Sequence, residues 1–237
     1  WWIGMGRDTV ELLVEGRGLD SAVLSIGAKG VRILHQSKAS NNRYIYLSLN
    51  ISADAPAQAI EVRATKGTRK TQRSWEVRAR DASKHRLIGL DSRDLVYLIM
   101  ADRFANGDTT NDAFAHMREN TVNRTMPTGR HGGDLTGIRR HLVDISMLGV
   151  TALWMCPLLE NDQPHASYHG YAITDHYRID PRFGTNSDYV NLVSDAHALN
   201  MRVVMDVVYN HTGSMHRLVT SPPDSSWFHW WPQYTQT

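Results

Sequence analysis

A loop rich in oxygen-bearing side chains is the first feature of this sequence that could do chemistry. Carboxylate and amide oxygens, with carbonyls that glycine leaves accessible, are the ligands that calcium takes at about 2.3 to 2.6 Å. The loop lacks the terminal Glu of an EF-hand. Two interpretations stay open, a calcium site or an Asx-rich turn that hydrogen-bonds its own backbone. The residues are Asn106, Asp108, Asn111 and Asp112, with His131-Gly132-Gly133-Asp134 downstream.

A second candidate is the aromatic stretch Tyr168-His169-Gly170-Tyr171. A glycine between His169 and Tyr171 lets the backbone approach a ligand closely, and a tyrosine ring offers an apolar face. Together with a histidine that hydrogen-bonds hydroxyls, this mixture suits sugar rings. Ordinary packing of loop aromatics is the alternative.

A third candidate is Asp206-Val207-Val208-Tyr209-Asn210-His211, at the end of an apolar run. A carboxylate inside a buried strand is costly unless it is paired or hydrogen-bonded. Asp206 therefore either ties neighbouring loops together or contacts a substrate. We expect Asn210 and His211 to lie where the strand opens into a functional face. Further along, clustered rings could form stacking platforms or pack hydrophobically: Trp227, Phe228, Trp230, Trp231 and Tyr234.

Alternating strands and helices must position these residues. Apolar runs predict buried strands, and apolar residues at helical spacing predict two helices between them. Asp134 is placed to cap the first helix, Asn186 or Ser187 to cap the second, and Asn200 to end it. The predicted strands are Leu95–Met100, Ala152–Met155 and Val203–Val208, and the predicted helices are 135–148 and 187–199. This order predicts a parallel sheet with right-handed crossovers.

Three such units fit either a doubly wound sheet or the first part of an eight-stranded barrel. A dinucleotide fold should carry a glycine-rich turn after its first strand, and Ala101 to Asn106 is not one. Polar and aromatic residues instead follow each strand, as on the active-site face of a barrel.

The chain before residue 78 has a different pattern. From Val10 to Val77, short alternating runs separated by turn residues predict a small antiparallel sandwich. The polar segment Arg78 to Arg86 reads as a linker. The sequence therefore predicts a multidomain protein: residues 1–86 form a β-sandwich with linker, and residues 87–237 form three βα units.

Composition narrows the function classes. Hydrophobic residues make up 41% and charged residues 21% of the 237, which excludes a disordered or fibrous chain. A net charge of +2 without a long block of either sign argues against nucleic acid or an anionic membrane as partner. No apolar stretch reaches the ~20 residues of a membrane helix, so we expect a soluble protein, periplasmic or cytoplasmic. The single cysteine, Cys156, predicts a buried thiol.

The motifs in this order resemble glycoside hydrolase family 13, the α-amylase superfamily, from about Asp94 onward. The carrying residues are DVVYNH at Asp206–His211, YHGY at 168–171, and Asp102-Arg103-Phe104 with HGGDL at 131–135. The subgroup resembled is the cyclomaltodextrinases and neopullulanases, which place an immunoglobulin-like β-sandwich before a TIM (β/α)8 barrel. The resemblance implies a retaining hydrolase of α-1,4-glucosidic bonds in cyclomaltodextrins, maltooligosaccharides or pullulan, and a homodimer.

The resemblance also implies residue roles. Calcium would be held by Asn106, Asp108, Asn111, Asp112, the Gly132 carbonyl and Asp134. Tyr171 would stack on the glucose at the cleavage subsite, with His169 and His211 bonding its hydroxyls. Asp206 would support the site, and Asn210 is assigned a structural role.

One departure from the family pattern concerns catalysis. A retaining glycosidase needs two carboxylates about 5 to 5.5 Å apart. The family carries these, and a third assisting Asp, on or after strands four, five and seven. Residues 1–237 reach only just past the third predicted strand and so contain none of these three carboxylates. We therefore expect residues 1–237 alone to be inactive. The competing hypothesis is a non-catalytic glucan-binding protein, or a piece completed by a second chain.

Overall fold

The computed structural model describes residues 1–80 and 89–229. The described chain divides into two compact units, one of residues 1–80 with 221–229 and one of residues 89–220. The predicted domain boundary at 86/87 and most of the predicted linker lie outside the described residues. The same holds for Trp230, Trp231 and Tyr234.

The first unit is built from two antiparallel sheets of three strands each. The six strands are β1 (Thr9–Glu15), β2 (Val23–Gly27), β3 (Val31–Lys38), β4 (Tyr44–Ile51), β5 (Gln58–Lys66) and β6 (Arg69–Val77). The strand orders are β1-β4-β3 and β2-β5-β6. Buried side chains of both sheets share one core, among them Leu47 of β4 and Val62 of β5. This shared core follows from the alternating pattern, which directs every second side chain inward.

The turn between β2 and β3 requires glycine at position 30. Gly30 has a φ of 71°, in the left-handed region. A Cβ there would lie 2.7 Å from Ser52 Oγ and 2.9 Å from Ala55 Cα. Only glycine fits both the conformation and the space.

A segment distant in sequence docks on β4 of the same unit. Asp224 accepts hydrogen bonds from Ser40 N at 2.6 Å and Tyr46 Oη at 2.5 Å. Tyr44 Oη donates to the Ser221 carbonyl at 2.9 Å, and Trp227 Nε1 donates to Tyr46 Oη at 2.7 Å. Residues 221–229 therefore pack with the first unit.

The second unit contains a parallel three-stranded sheet. Its elements are β7 (Val96–Ile99), α1 (Ala101–Phe104), α2 (Leu135–Arg140), α3 (Leu142–Met147), β8 (Ala152–Met155), β9 (Leu159–Glu160), β10 (Asp175–Ile179), α4 (Asn186–Ala198), β11 (Arg202–Met205) and α5 (Arg217–Thr220). The sheet order is β11-β8-β7, and both pairings are parallel. Strands β9 and β10 form a separate antiparallel pair. The three predicted βα strands are therefore present and adjacent.

Three details differ from the predicted elements. The helix predicted over 135–148 is two short helices, because His141 leaves helical geometry at φ −104°, ψ 8°. The cap of α4 is Thr185, not Asn186 or Ser187: its side chain accepts from Asp188 N in a capping box. The third strand ends at Met205 rather than Val208. Asn200 does terminate α4, with a φ of 58°.

The core of the second unit lies between the sheet and the helices. Leu153, Ile138 and Leu192 are fully buried there. The continuous apolar run at β7 predicted a strand covered on both faces, yet Leu98 is 57% exposed. Within residues 1–80 and 89–229, no helix has both the length and the apolarity to cross a membrane.

Candidate functional site

A half-buried carboxylate organises the candidate sugar site. Asp206 directly follows β11, and its Oδ2 accepts from Tyr171 Oη at 3.0 Å and from Trp154 Nε1 at 3.1 Å. The sequence placed Asp206 inside a buried strand, whereas the structure places it beyond the strand end. These two hydrogen bonds offset the free-energy cost of partly burying the carboxylate charge.

The histidine of the aromatic stretch is held as a neutral donor. Tyr171 N donates to His169 Nδ1 at 2.9 Å, so the proton of the neutral ring sits on Nε2. Burial lowers the pKa of His169 from its ordinary value of 6.5. The His169 and Tyr171 rings stack at 5.8 Å. His169 thus presents an N–H group suited to a hydroxyl.

The glycine between the two rings permits a close backbone approach. Gly170 has a φ of 82°. A Cβ at this position would lie 1.9 Å from the Pro157 carbonyl oxygen. No other residue can therefore bring His169 and Tyr171 into this arrangement.

His211 closes the cluster from the β11 side. Its Nε2 lies 2.9 Å from the Tyr171 carbonyl oxygen, which only accepts, so Nε2 carries the proton. Asn210 Nδ2 lies 3.2 Å from His211 Nδ1. The structure thus brings together all four predicted substrate residues. It also gives Asn210 a contact with the cluster.

The Tyr171 phenol is kept protonated. Burial raises its pKa above the ordinary value of 10, and the hydrogen bonds with Asp206 and Cys156 add to this. The Cys156 sulfur lies 3.9 Å from Tyr171 Oη, and burial raises the pKa of this thiol. A protonated phenol donates to Asp206 and offers an uncharged ring face.

Two residues of the cluster were not among the sequence candidates, Trp154 and Cys156. Trp154 pairs in register with Val204, two residues before Asp206. Side chains two residues apart share a face of a strand, so this register turns the Trp154 and Asp206 side chains to one side. Placing the predicted strands 152–155 and 203–208 side by side in parallel register would have identified Trp154 as a neighbour of Asp206.

The Asx-rich loop converges around Gly132. Asn106 Nδ2 donates to Asp112 Oδ1 at 2.6 Å. Gly132 has a φ of 88°, and a Cβ on it would lie 2.6 Å from Asp112 Oδ1. Asn106 Oδ1 and Asn111 Oδ1 are buried and lack a hydrogen-bond partner among the described residues. Orphaned buried amide oxygens are an expected feature of a cation site whose ligands are in place.

The remaining predicted ligands are engaged with the backbone. Asp134 Oδ1 accepts from Gly137 N at 2.6 Å, and its Oδ2 accepts from Asp108 N at 2.8 Å. Asp134 is thus the N-cap of α2, as the sequence predicted. Asp108 Oδ1 accepts from Thr110 N at 2.9 Å. Across the described residues, no three His, Cys, Asp or Glu side chains form a metal-binding group.

Two family models match this chain. The one described as the alpha amylase catalytic domain matches residues 98–236, and the one described as the cyclomaltodextrinase N-terminal domain matches residues 1–81. The N-terminal match ends at residue 81, within the predicted linker, and the catalytic-domain match begins at residue 98, so the two follow one another in the predicted order.

Known proteins show the same similarity. A beta/alpha-amylase of Paenibacillus polymyxa is 37% identical over 142 residues, which are 58% of this chain and 12% of that protein. A cyclomaltodextrinase of a Bacillus species is 38% identical over 119 residues, 50% of this chain and 20% of that protein. A crystal structure of an Anoxybacillus alpha-amylase is 40% identical, with a TM-score of 0.52 over 58% of this chain and 28% of that one. The chain spans about a tenth to a quarter of the length of the curated relatives it matches.

Proposed function

Because this chain belongs to the α-amylase family of glycoside hydrolases, we propose that the whole protein hydrolyses α-1,4-glucosidic bonds with retention of configuration. The proposed substrates are cyclomaltodextrins, maltooligosaccharides or pullulan. The observation that carries the proposal is the Asp206 carboxylate, which holds the Tyr171 phenol beside His169 and His211.

The proposed architecture is an immunoglobulin-like β-sandwich followed by the first three βα units of a TIM (β/α)8 barrel. The two antiparallel sheets with a shared core support the first part. The parallel order β11-β8-β7 supports the second, since barrel strands follow one another in this way. The exposed Leu98 and Met147 are apolar surfaces that further units would cover.

The proposed sugar site combines one stacking surface with three polar groups. The Tyr171 ring faces the sugar, and His169 Nε2–H donates to a hydroxyl. His211 Nε2–H donates to the Tyr171 carbonyl, so His211 must give up this contact to bind a hydroxyl. Asp206 orients the phenol and accepts the Trp154 indole proton. Aromatic stacking and directed hydrogen bonds are how protein sites recognise sugars.

Calcium is proposed at the Asx-rich loop. The orphaned oxygens of Asn106 and Asn111, with Asp112 and the Gly132 carbonyl, fit a hard cation. Asp108 and Asp134 complete the proposed set, although both already accept backbone N–H groups. A bound calcium would supply charge that pins this loop, and it would take no part in bond cleavage.

The bond-breaking carboxylates are proposed to lie outside residues 1–237. Residues 1–237 alone should therefore release no reducing sugar, since leaving-group protonation and glycosyl-enzyme formation both need a spaced carboxylate pair. Turnover by residues 1–237 comparable to that of the full-length protein would overturn this placement.

The test is reducing-sugar release from maltooligosaccharide or cyclodextrin by the full-length protein. Tyr171→Ala should lower kcat/KM by about 5-fold or more, because a stacking contact contributes roughly 1 kcal/mol. Tyr177→Ala is the matched control, since Tyr177 is 86% exposed on β10. An unchanged kcat/KM in Tyr171→Ala contradicts the sugar site. Glucan binding without cleavage by the full-length protein favours the non-catalytic alternative.

We also propose that the whole protein is a homodimer and that the N-terminal unit serves assembly. Light scattering on the full-length protein and on a variant lacking residues 1–86 tests this. If the number of subunits calculated from the mass is the same with and without residues 1–86, structural support remains as the role of the N-terminal unit.

A further inference from the structure

The turn that carries the candidate sugar residues starts at a fully buried serine. Ser167 is 0% exposed and opens the short 3-10 turn Ser167–His169. Two left-handed residues bracket this turn, Ala166 at φ 55° and Gly170 at φ 82°. A left-handed alanine persists only where its surroundings determine the conformation.

Three polar side chains from three separate segments hold Ser167. Glu119 Oε2 accepts from Ser167 N at 2.7 Å. Asn161 Nδ2 donates to the Ser167 carbonyl at 3.1 Å, and Arg130 Nη1 donates to Ser167 Oγ at 3.3 Å. Every polar atom of Ser167 thus has a side-chain partner, which determines the position of the turn.

A buried ion pair fixes two of these partners. Arg182 Nη1 donates to the Glu119 carbonyl at 2.8 Å, and Arg182 Nη2 donates to the Asn161 carbonyl at 2.9 Å. Arg182 also pairs with Asp180 at 2.7 Å, and neither side chain is exposed. Asn161 N in turn donates to Asp180 Oδ2 at 3.0 Å.

The third partner, Arg130, depends on Ser167. Its side chain is 0% exposed, and its Nε and Nη2 lack hydrogen-bond partners among the described residues. Its Nη2 lies 3.6 Å from Asp102 Oδ1, and its Cζ lies 4.9 Å from the centre of the Phe183 ring. Ser167 Oγ therefore accepts the one hydrogen bond of this guanidinium within the described chain. Removing this bond would leave a further nitrogen of a buried cation without a hydrogen-bond partner, which is unfavourable in free energy.

We propose that Ser167 is a positioning residue for glucan cleavage, acting through the turn that carries His169 and Tyr171. This inference rests on the proposed function. Ser167 touches no substrate: its hydroxyl anchors Arg130, and its backbone anchors the start of the turn. A displacement of about 1 Å in a substrate-positioning group costs up to roughly 100-fold in rate.

The first test is kinetic and uses the full-length protein. Ser167→Ala removes only the hydroxyl and keeps both backbone contacts, and we expect kcat/KM to fall about tenfold. In a His169→Ala/Tyr171→Ala background the same change should cost less than about twofold, because the groups it positions are gone. Ser187→Ala is the control, because it also removes one serine hydroxyl but Ser187 is exposed on α4. An equal fall in both backgrounds, or no fall in either, overturns the proposal.

The second test does not require activity. Hydrogen exchange of the segment 167–171 should be at least about tenfold faster in Ser167→Ala, while exchange within α4 stays unchanged. Arg130→Gln should show the same local change. Unchanged exchange in 167–171 overturns the proposal. If the full-length protein cleaves no glucan while this exchange rises, the proposed function fails and the positioning of the turn stands.

Discussion

The buried pair of Asp180 and Arg182 allows a quantitative test of the second unit. Neither side chain is exposed, and Arg182 Nε and Nη2 donate to the two Asp180 oxygens at 2.8 and 2.7 Å. Burial by itself raises the pKa of Asp180, but the hydrogen bonds and charge of Arg182 hold it below its usual range. Arg182→Met fills a similar volume and leaves the carboxylate with backbone N–H donors but without its charged partner.

The expected loss is large. Removing one partner of a buried ion pair costs about 3 to 5 kcal/mol. The carbonyls of Glu119 and Asn161 also lose their donor, so we expect about 4 kcal/mol or more, since such losses do not add fully. Because about 1.4 kcal/mol corresponds to a tenfold change in an equilibrium constant, the equilibrium constant for opening of the second unit should rise roughly 1000-fold.

The assay is native-state hydrogen exchange of the buried face of α4 in the full-length protein at pH 7. Arg139→Met is the matched control, because Arg139 pairs with Asp195 and both side chains are 45% exposed. An exposed pair contributes about 0 to 1 kcal/mol. Asp180→Asn added to Arg182→Met should restore part of the loss, because no unpaired charge then remains buried.

The refuting results are specific. An Arg182→Met loss no larger than that of Arg139→Met would show that the pair does not hold the unit together. Because the pKa of Asp180 is lower in the folded state than its unfolded value near 3.8, the ionised carboxylate stabilises the folded state fully above pH 3.8. This stabilisation is lost as the pH falls through the folded-state pKa. Protection in the unsubstituted protein should therefore fall more steeply below pH 3.8 than in Asp180→Asn.

Three further predictions concern other parts of the chain. A chelator should lower the melting temperature, since a cation at 100 times its Kd stabilises by about 2.7 kcal/mol, and Asn111→Ala should abolish that shift; no shift in the unsubstituted protein would sink the calcium proposal. Asp224→Ala should destabilise the first unit by about 1 to 2 kcal/mol in urea unfolding, because two partly exposed hydrogen bonds to Ser40 and Tyr46 are lost. These hydrogen bonds lower the pKa of Asp224, so its contribution to the free energy of unfolding is present above pH 3.8 and is lost as the pH falls through the folded-state pKa. If the loss of stability with falling pH is the same in Asp224→Ala as in the unsubstituted protein, this prediction is contradicted. NMR titration should give His169 a pKa below 6.5, and the stability that the neutral ring contributes should be lost as the pH falls from 6.5 through this folded-state pKa. A measured pKa at or above 6.5 would contradict the assignment of His169 as a neutral donor.

Local patterns in the sequence were sufficient to predict the main elements. Apolar residues at helical spacing predicted α4, and Asn200 predicted its end, because both signals depend on residues within a few positions of each other. Asp134 was correctly predicted to cap α2 for the same reason. The order of the motifs was also enough for the family, which the match over residues 98–236 shows.

Finer choices between neighbours in sequence were decided by local hydrogen bonds and by strand pairing. Three consecutive polar residues, 185 to 187, could each cap α4, and the capping box with Asp188 selects Thr185. The end of β11 at Met205 could not be read from an apolar run that continues to Val208. A strand ends where its ladder ends, and the ladder depends on the neighbouring strand.

Contacts between distant residues were decided only by the tertiary structure. Parallel register brings Trp154 to Asp206, 52 residues away, and burial brings Arg130 to Ser167, 37 residues away. Trp227 reaches Tyr46 across 181 residues. Polar side chains carry no periodic signal for such partners. Each partner is chosen when burial excludes water and leaves an unpaired donor or acceptor that the nearest group must satisfy.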